Sequence, residues 1–138
     1  MAKIHWEYSV PGDDFTRAGE ASGDLKRKLK KLGYVQDAVR RASIAMYEGE
    51  INMAIHAGGG KVNVDIDKDK VEIELVDEGP GIENIDQAMQ EGWSTAPDTI
   101  RSLGFGAGMG LPNMKKYTGE MKIESEKGKG TTVYMVIY

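Results

Sequence analysis

Two rhythms of apolar positions divide the chain. From Phe15 to Leu32 the apolar residues Phe15, Ala18, Leu25, Leu29 and Leu32 recur at helical spacing, and from Asp37 to His56 so do Val39, Ala42, Met46, Ile51 and Ile55. Elsewhere the period shortens to two, the mark of a strand. Ile4–Val10 alternates loosely, Lys61–Asp67 and Val71–Asp77 alternate clearly, and Glu120–Glu126 and Thr131–Ile137 close the chain the same way. Shorter helical patterns are read at Ile85–Glu91 and Met109–Tyr117. Pro11-Gly12-Asp13-Asp14 reads as a turn whose aspartate can cap the helix that follows. Gly33 ends the first helix, Gly58-Gly59-Gly60 ends the second, and Lys68-Asp69 joins two strands as a short hairpin. In the last strand Val133, Met135 and Ile137 alternate with Tyr134 and Val136, as in a sheet covered by helices on one face.

Composition narrows the picture. At 138 residues the chain suits one domain, 1–138, able to bury a core without staples. It has no cysteine, which excludes disulfides and thiolate metal sites and fits a reducing, cytoplasmic setting. No apolar run approaches a membrane span, and Met1-Ala2-Lys3-Ile4-His5-Trp6 lacks a signal-peptide core. A net charge of -4 argues against nonspecific nucleic-acid binding. Lys26, Arg27, Lys28, Lys30 and Lys31 crowd the end of the first helix, where cations suit the helix dipole.

Three stretches carry candidate chemistry. Val76-Asp77-Glu78-Gly79-Pro80-Gly81-Ile82 ends a strand on one carboxylate and turns at once. An ionised carboxylate only accepts hydrogen bonds, so Asp77 suits a ligand edge rich in N–H donors, such as an adenine amino group. Gly79 and Gly81 let the backbone approach that ligand closely. Taken alone, Asp-x-Gly-x-Gly reads equally as a plain turn. Upstream, Glu48 and Asn52 stand four residues apart and project from one helix face. A carboxylate and an amide oxygen so placed can share a hydrated Mg2+, or else form a solvent-facing stripe. Their apolar neighbours Met46, Ile51, Met53 and Ala54 put them on a half-buried helix. Downstream, a loop from Gly92 to Gly108 runs through Leu103-Gly104-Phe105-Gly106-Ala107-Gly108-Met109-Gly110-Leu111 into a helix. Long loops in compact domains tend to be functional, and a helix N-terminus attracts anions. A P-loop reading fails for want of Gly-Lys-Ser/Thr after a strand, and a Rossmann reading fails because the glycines follow a loop rather than the first strand of a βαβ unit. Thr131 or Thr132, opening the last strand after Gly128-Lys129-Gly130, could touch a phosphate or an adenine-site water, or simply favour the strand.

In this order and spacing the boxes resemble the Bergerat-fold ATPases, and among them the small bacterial anti-sigma-factor serine/threonine kinases and stress-signalling switch kinases. Met89-Gln90-Glu91-Gly92-Trp93-Ser94-Thr95 with Leu111-Pro112 is similar to the switch-kinase branch. The resemblance implies an α/β (α+β) two-layer sandwich with a mixed, largely antiparallel sheet and helices on one face. It implies ATP and Mg2+ as cofactors. Glu48 matches the general base, Asn52 the Mg2+ ligand and Asp77 the adenine acceptor. Gly106, Gly108 and Gly110 would cradle phosphates, and Thr131 would lie nearby. Glu50, a second carboxylate on a different face, departs from the hydrophobic or small residue common there, and His56 matches a frequent helix-end histidine. Many anti-sigma kinases carry arginine directly before Gly-Met-Gly. Here Gly106 or Ala107 stands there, so either Arg101, Lys115 or Lys116 supplies the charge or transfer is slow. The implied activity is transfer of the γ-phosphate to Ser or Thr on a STAS-domain antagonist or sigma-factor regulator. The alternative is a nucleotide-gated regulator-binding module with little catalysis. Relatives often form homodimers, and neither nucleic acid nor membrane is an expected partner.

Overall fold

The computed structural model describes residues 4–11, 19–56, 59–67, 70–79, 114–126 and 128–138. Among the described residues the elements are, in chain order, β1 (Ile4–Pro11), α1 (Glu20–Lys31), α2 (Gln36–His56), β2 (Gly59–Ile66), β3 (Val71–Asp77), β4 (Glu120–Glu126) and β5 (Gly130–Ile137). Residues 114–116 add a helical turn before β4. The predicted helix at 85–91 and the glycine-rich loop lie outside the described residues.

The strands form one sheet in the order β1-β2-β3-β5-β4. Every described pairing is antiparallel, so these strands need none of the parallel pairings that a mixed sheet allows. Period-two burial explains the register. Val62, Val64 and Ile66 of β2 point to the same face as Val71, Ile73 and Leu75 of β3 and Val133, Met135 and Ile137 of β5, and all nine are buried. A slip of one residue would turn each row to the opposite face. The helices cover this face, contributing Leu25 and Leu29 from α1 and Ala42, Met46 and Met53 from α2. The other face is polar: Tyr134 donates to Glu72 at 2.9 Å, Asn63 donates to Glu74 at 3.3 Å, and His5 meets Asp65 at 2.8 Å.

The first helix departs from its predicted start. Gly19, at φ +100°, is the N-cap, so no continuous helix runs from Phe15 through to Leu32; α1 begins at Glu20. Its other end follows the sequence. Gly33 takes φ +83°, Tyr34 N–H donates to the Leu29 carbonyl at 3.2 Å, and Gly33 N–H donates to Lys30 at 3.1 Å. These two bonds make the glycine-terminated Schellman ending. α1 is fastened over the edge strand by a polar cluster. Tyr8 donates to Asp24 at 2.7 Å, Lys28 pairs with Asp24 at 2.8 Å, and the same ammonium lies 4.4 Å from the Trp6 ring centroid. Among the described residues no helix is long and apolar enough to cross a membrane.

Candidate functional site at the end of β3

β3 delivers Asp77 to the end of the sheet opposite the β2–β3 hairpin, beside Thr131 of β5. Two backbone donors hold the carboxylate: Gly79 N–H at 3.0 Å and Thr131 N–H at 3.2 Å, both on Oδ1. Oδ2 accepts no bond among the described residues. These two donors orient the carboxylate through Oδ1. Thr131 is buried, and its hydroxyl meets Ser125 Oγ at 2.8 Å, while Ser125 Oγ also donates to the Gly130 carbonyl at 3.1 Å.

Close backbone packing builds this corner. A Cβ on Gly130, where φ is +106°, would lie 2.1 Å from the Asp77 carbonyl oxygen. A Cβ on Gly60 would lie 2.4 Å from the Val76 carbonyl oxygen, 3.0 Å from Met53 Sδ and 3.2 Å from Asp77 Cβ. A Cβ on Gly49 would lie 2.4 Å from Leu75 Cδ2. Thus β5, β2 and α2 each approach the last residues of β3 through a glycine. Gly49 sits between the two candidate residues of α2, so its contact with Leu75 seats their stretch of helix over the strand that ends in Asp77.

Glu48 and Asn52 are each half-buried, while Gly49, Glu50, Ile51, Met53 and Ala54 around them are buried. They lie on one half-buried face, as their spacing and apolar neighbours predict. Glu50 is elsewhere: it is 1% exposed and accepts hydrogen bonds from Gly19 N–H at 2.8 Å and Ser22 N–H at 2.6 Å. Those bonds commit it to α1. His56 ends α2, and its side chain, like Gly81, Gly106, Gly108 and Gly110, lies outside what the structure describes. Sequence reasoning missed Ser125 and the close-approach roles of Gly49, Gly60 and Gly130. A glycine within a helix or at a strand start was the only signal, and its meaning depends on the pairing partner.

A family profile described as "Histidine kinase-, DNA gyrase B-, and HSP90-like ATPase" matches residues 33–138. The chain belongs to this ATPase family. An anti-sigma F factor of Clostridium acetobutylicum is 40% identical over 103 residues, covering 73% of this chain and 63% of the relative. An anti-sigma F factor of Clostridium beijerinckii is 34% identical over 103 residues, covering 70% and 68%. The match thus spans just under two thirds of the first relative's length. Among solved structures, the RsbU and RsbW domains of a Mycobacterium tuberculosis protein align with a TM-score of 0.63 at 16% identity, covering 99% of this chain and 32% of that one. The SiaB–SiaC complex of Pseudomonas aeruginosa aligns with a TM-score of 0.64 at 12% identity, covering 96% and 88%. At these identities the two structures establish the fold, a sandwich of the Bergerat type.

Membership in this ATPase family implies ATP binding, and the donor set fits a nucleotide. Asp77 offers an oriented acceptor, and the glycine corner keeps side chains off the backbone beside it. Among the described residues no three His, Cys, Asp or Glu side chains gather as a metal cluster. Mg2+ commonly takes only one or two protein oxygens and completes its shell with phosphates and water. Asn52 can supply one such oxygen.

Proposed function

We propose that the chain is an ATP-dependent serine/threonine protein kinase of the anti-sigma type, acting on a small STAS-type antagonist of a sigma factor. The observation that carries this reading is the Asp77 carboxylate, fixed across β3 and β5 by two backbone donors beneath the helix that bears Glu48 and Asn52. The anti-sigma F relatives direct it toward transcriptional regulation. Asp77 Oδ2 accepts from the adenine amino group, while Gly79 and Gly81 keep the approach clear. Thr131 contributes its hydroxyl beside Asp77, Asn52 holds Mg2+, and Gly106, Gly108 and Gly110 offer backbone N–H groups to phosphates. When bound, ATP supplies the γ-phosphoryl group and departs as ADP. Glu48 takes the proton of the acceptor hydroxyl as general base. The charge placed on the acceptor then changes which partner it holds. We place this activity in the cytoplasm, in a single domain spanning 1–138, with a homodimer as the expected assembly.

A second reading has a specific observation behind it. The position before Gly108-Met109-Gly110 is Ala107, where many such kinases carry arginine. Without that cation the chain could serve as a nucleotide-gated module that sequesters a sigma factor or another regulator. One experiment separates the two. Tagged protein with Mg-ATP is incubated in lysate of its own source, and captured proteins are read by mass spectrometry for phosphoserine and phosphothreonine. A small partner phosphorylated by wild type and not by Glu48→Ala supports the kinase. A captured, unmodified regulator supports the gated module.

A further inference from the structure

Glu50 is a buried carboxylate that the proposed chemistry does not use. The N-cap of α1 is Gly19, a residue with no side chain to cap its own helix, and the cap comes instead from α2. Glu50 Oε2 accepts from Gly19 N–H, 31 positions away, and Oε1 accepts from Ser22 N–H, 28 positions away. Helix N-terminal N–H groups need acceptors, and a negative charge there is further favoured by the helix dipole. The same turn of α2 touches α1 again. The Tyr47 ring lies against Gly19, where a Cβ would come within 2.9 Å of Cε2. On its other side the turn rests on β3, with Gly49 against Leu75. Glu48 therefore lies in a helical turn whose three neighbours, Tyr47, Gly49 and Glu50, are each fastened to another element.

We propose that Glu50 is a positioning residue for phosphotransfer, resting on the kinase reading above. Its carboxylate fastens the Glu48-bearing turn of α2 to the N-terminus of α1, and so sets where Glu48 stands relative to the acceptor hydroxyl. Both oxygens are required. An amide offers one acceptor oxygen and one NH2 group, so it cannot receive the two backbone donors on separate atoms as the carboxylate does. Glu50→Gln leaves a buried N–H facing another donor and loosens the turn without changing side-chain size. The Asp77–Thr131 corner on β3 and β5 is built without α1, so adenine recognition, read as ATP affinity without Mg2+, is spared.

The test measures four quantities on wild type and Glu50→Gln: Tm, Kd for ATP without Mg2+, phosphotransfer rate at saturating Mg-ATP, and amide exchange over residues 47–52. With the variant folded at the assay temperature, the transfer rate falls about tenfold or more, within what misplacement of a catalytic group costs. ATP affinity without Mg2+ stays near wild type and exchange at 47–52 quickens. A wild-type rate in the folded variant overturns the proposal. So do losses of rate and ATP affinity that fall together with Tm, the signature of a prop for the fold alone. If Glu50→Gln does not fold, Glu50→Asp, which keeps the charge but is one methylene short, is read by the same criteria. A wild type that transfers no phosphate refutes the kinase reading instead. Exchange then decides the clamp: faster exchange in the variant supports it, and unchanged exchange refutes it.

Discussion

Gly128, in the turn before β5, and Gly130, the first residue of β5, pose a controlled comparison. Both adopt positive φ, +83° and +106°. A Cβ on Gly128 would meet nothing within 4 Å, whereas one on Gly130 would lie 2.1 Å from the Asp77 carbonyl oxygen and 2.9 Å from Glu78 Cα. Both of those are backbone atoms, so no side chain can rotate away. Gly128→Ala bears only the left-handed strain of an L residue, about 1–2 kcal/mol. Gly130→Ala bears similar strain plus an overpacking cost of about 1–3 kcal/mol, together about 2–5 kcal/mol. At roughly 4 °C per kcal/mol for a chain of this length, the two variants separate clearly by differential scanning fluorimetry. The consequence at the site is more specific. Any relief of the Gly130 contact moves Asp77, whose Oδ1 is bonded to the Thr131 N–H next along β5. ATP affinity, read by calorimetry, then falls roughly tenfold or more in Gly130→Ala, the worth of one charge-assisted hydrogen bond. In Gly128→Ala it holds. Equal Tm values and equal ATP affinities in the two variants would refute the claim that β5 packs on Asp77 through Gly130.

Other expectations follow from the same geometry. Gly49→Ala places a methyl 2.4 Å from Leu75 Cδ2 in the core, so it destabilises by about 1–2 kcal/mol after its helix-propensity gain. In a Leu75→Ala background the same change becomes neutral or stabilising, and a double-mutant denaturation cycle shows coupling of about 1 kcal/mol or more. The Tyr8 phenol is pushed up from 10.0 to about 12, by burial first and then by its hydrogen bond to Asp24. Because the folded value is the higher one, this contribution is full below pH 10 and is lost as pH rises through about 12. Tyr8→Phe should flatten the loss of stability across that window in pH-dependent denaturation. Asp24 runs the opposite way. The hydrogen bond from Lys28, then that from Tyr8, holds its carboxyl below the usual range, so its contribution is present near neutrality and lost as pH falls through the lowered value. Asp24→Asn should therefore reduce the acid sensitivity of unfolding.

Much of this fold is legible in the order of residues because its rules are local. Alternation places Val62, Val64 and Ile66 on one face, Gly33 ends α1, and Asp77 stands where a strand stops. The start of α1 was not legible. Its cap is Glu50, 28 and 31 positions downstream of the donors it serves, and no local pattern links them. The place of β5 between β3 and β4 was hidden for the same reason, since pairing across the sheet is a long-range choice. Gly60 and Gly130 look like turn residues in sequence. Only strand pairing shows that each makes room for the backbone of β3. The shared half-buried face of Glu48 and Asn52 was legible because four residues make about one helical turn and the neighbours along it are apolar.

The claim on which the account turns is that Asp77 receives the adenine amino group. Calorimetric titration of ATP and GTP, with Mg2+, into wild type and Asp77→Asn tests it directly. GTP presents a carbonyl oxygen where ATP presents an amino group, and a carboxylate cannot donate to it. Wild type should prefer ATP by roughly tenfold or more, the worth of one charge-assisted hydrogen bond. Asp77→Asn should lose ATP affinity by a similar factor, and the preference should narrow or reverse because its amide can donate. Undiminished ATP affinity and an unchanged preference in the variant would contradict the account.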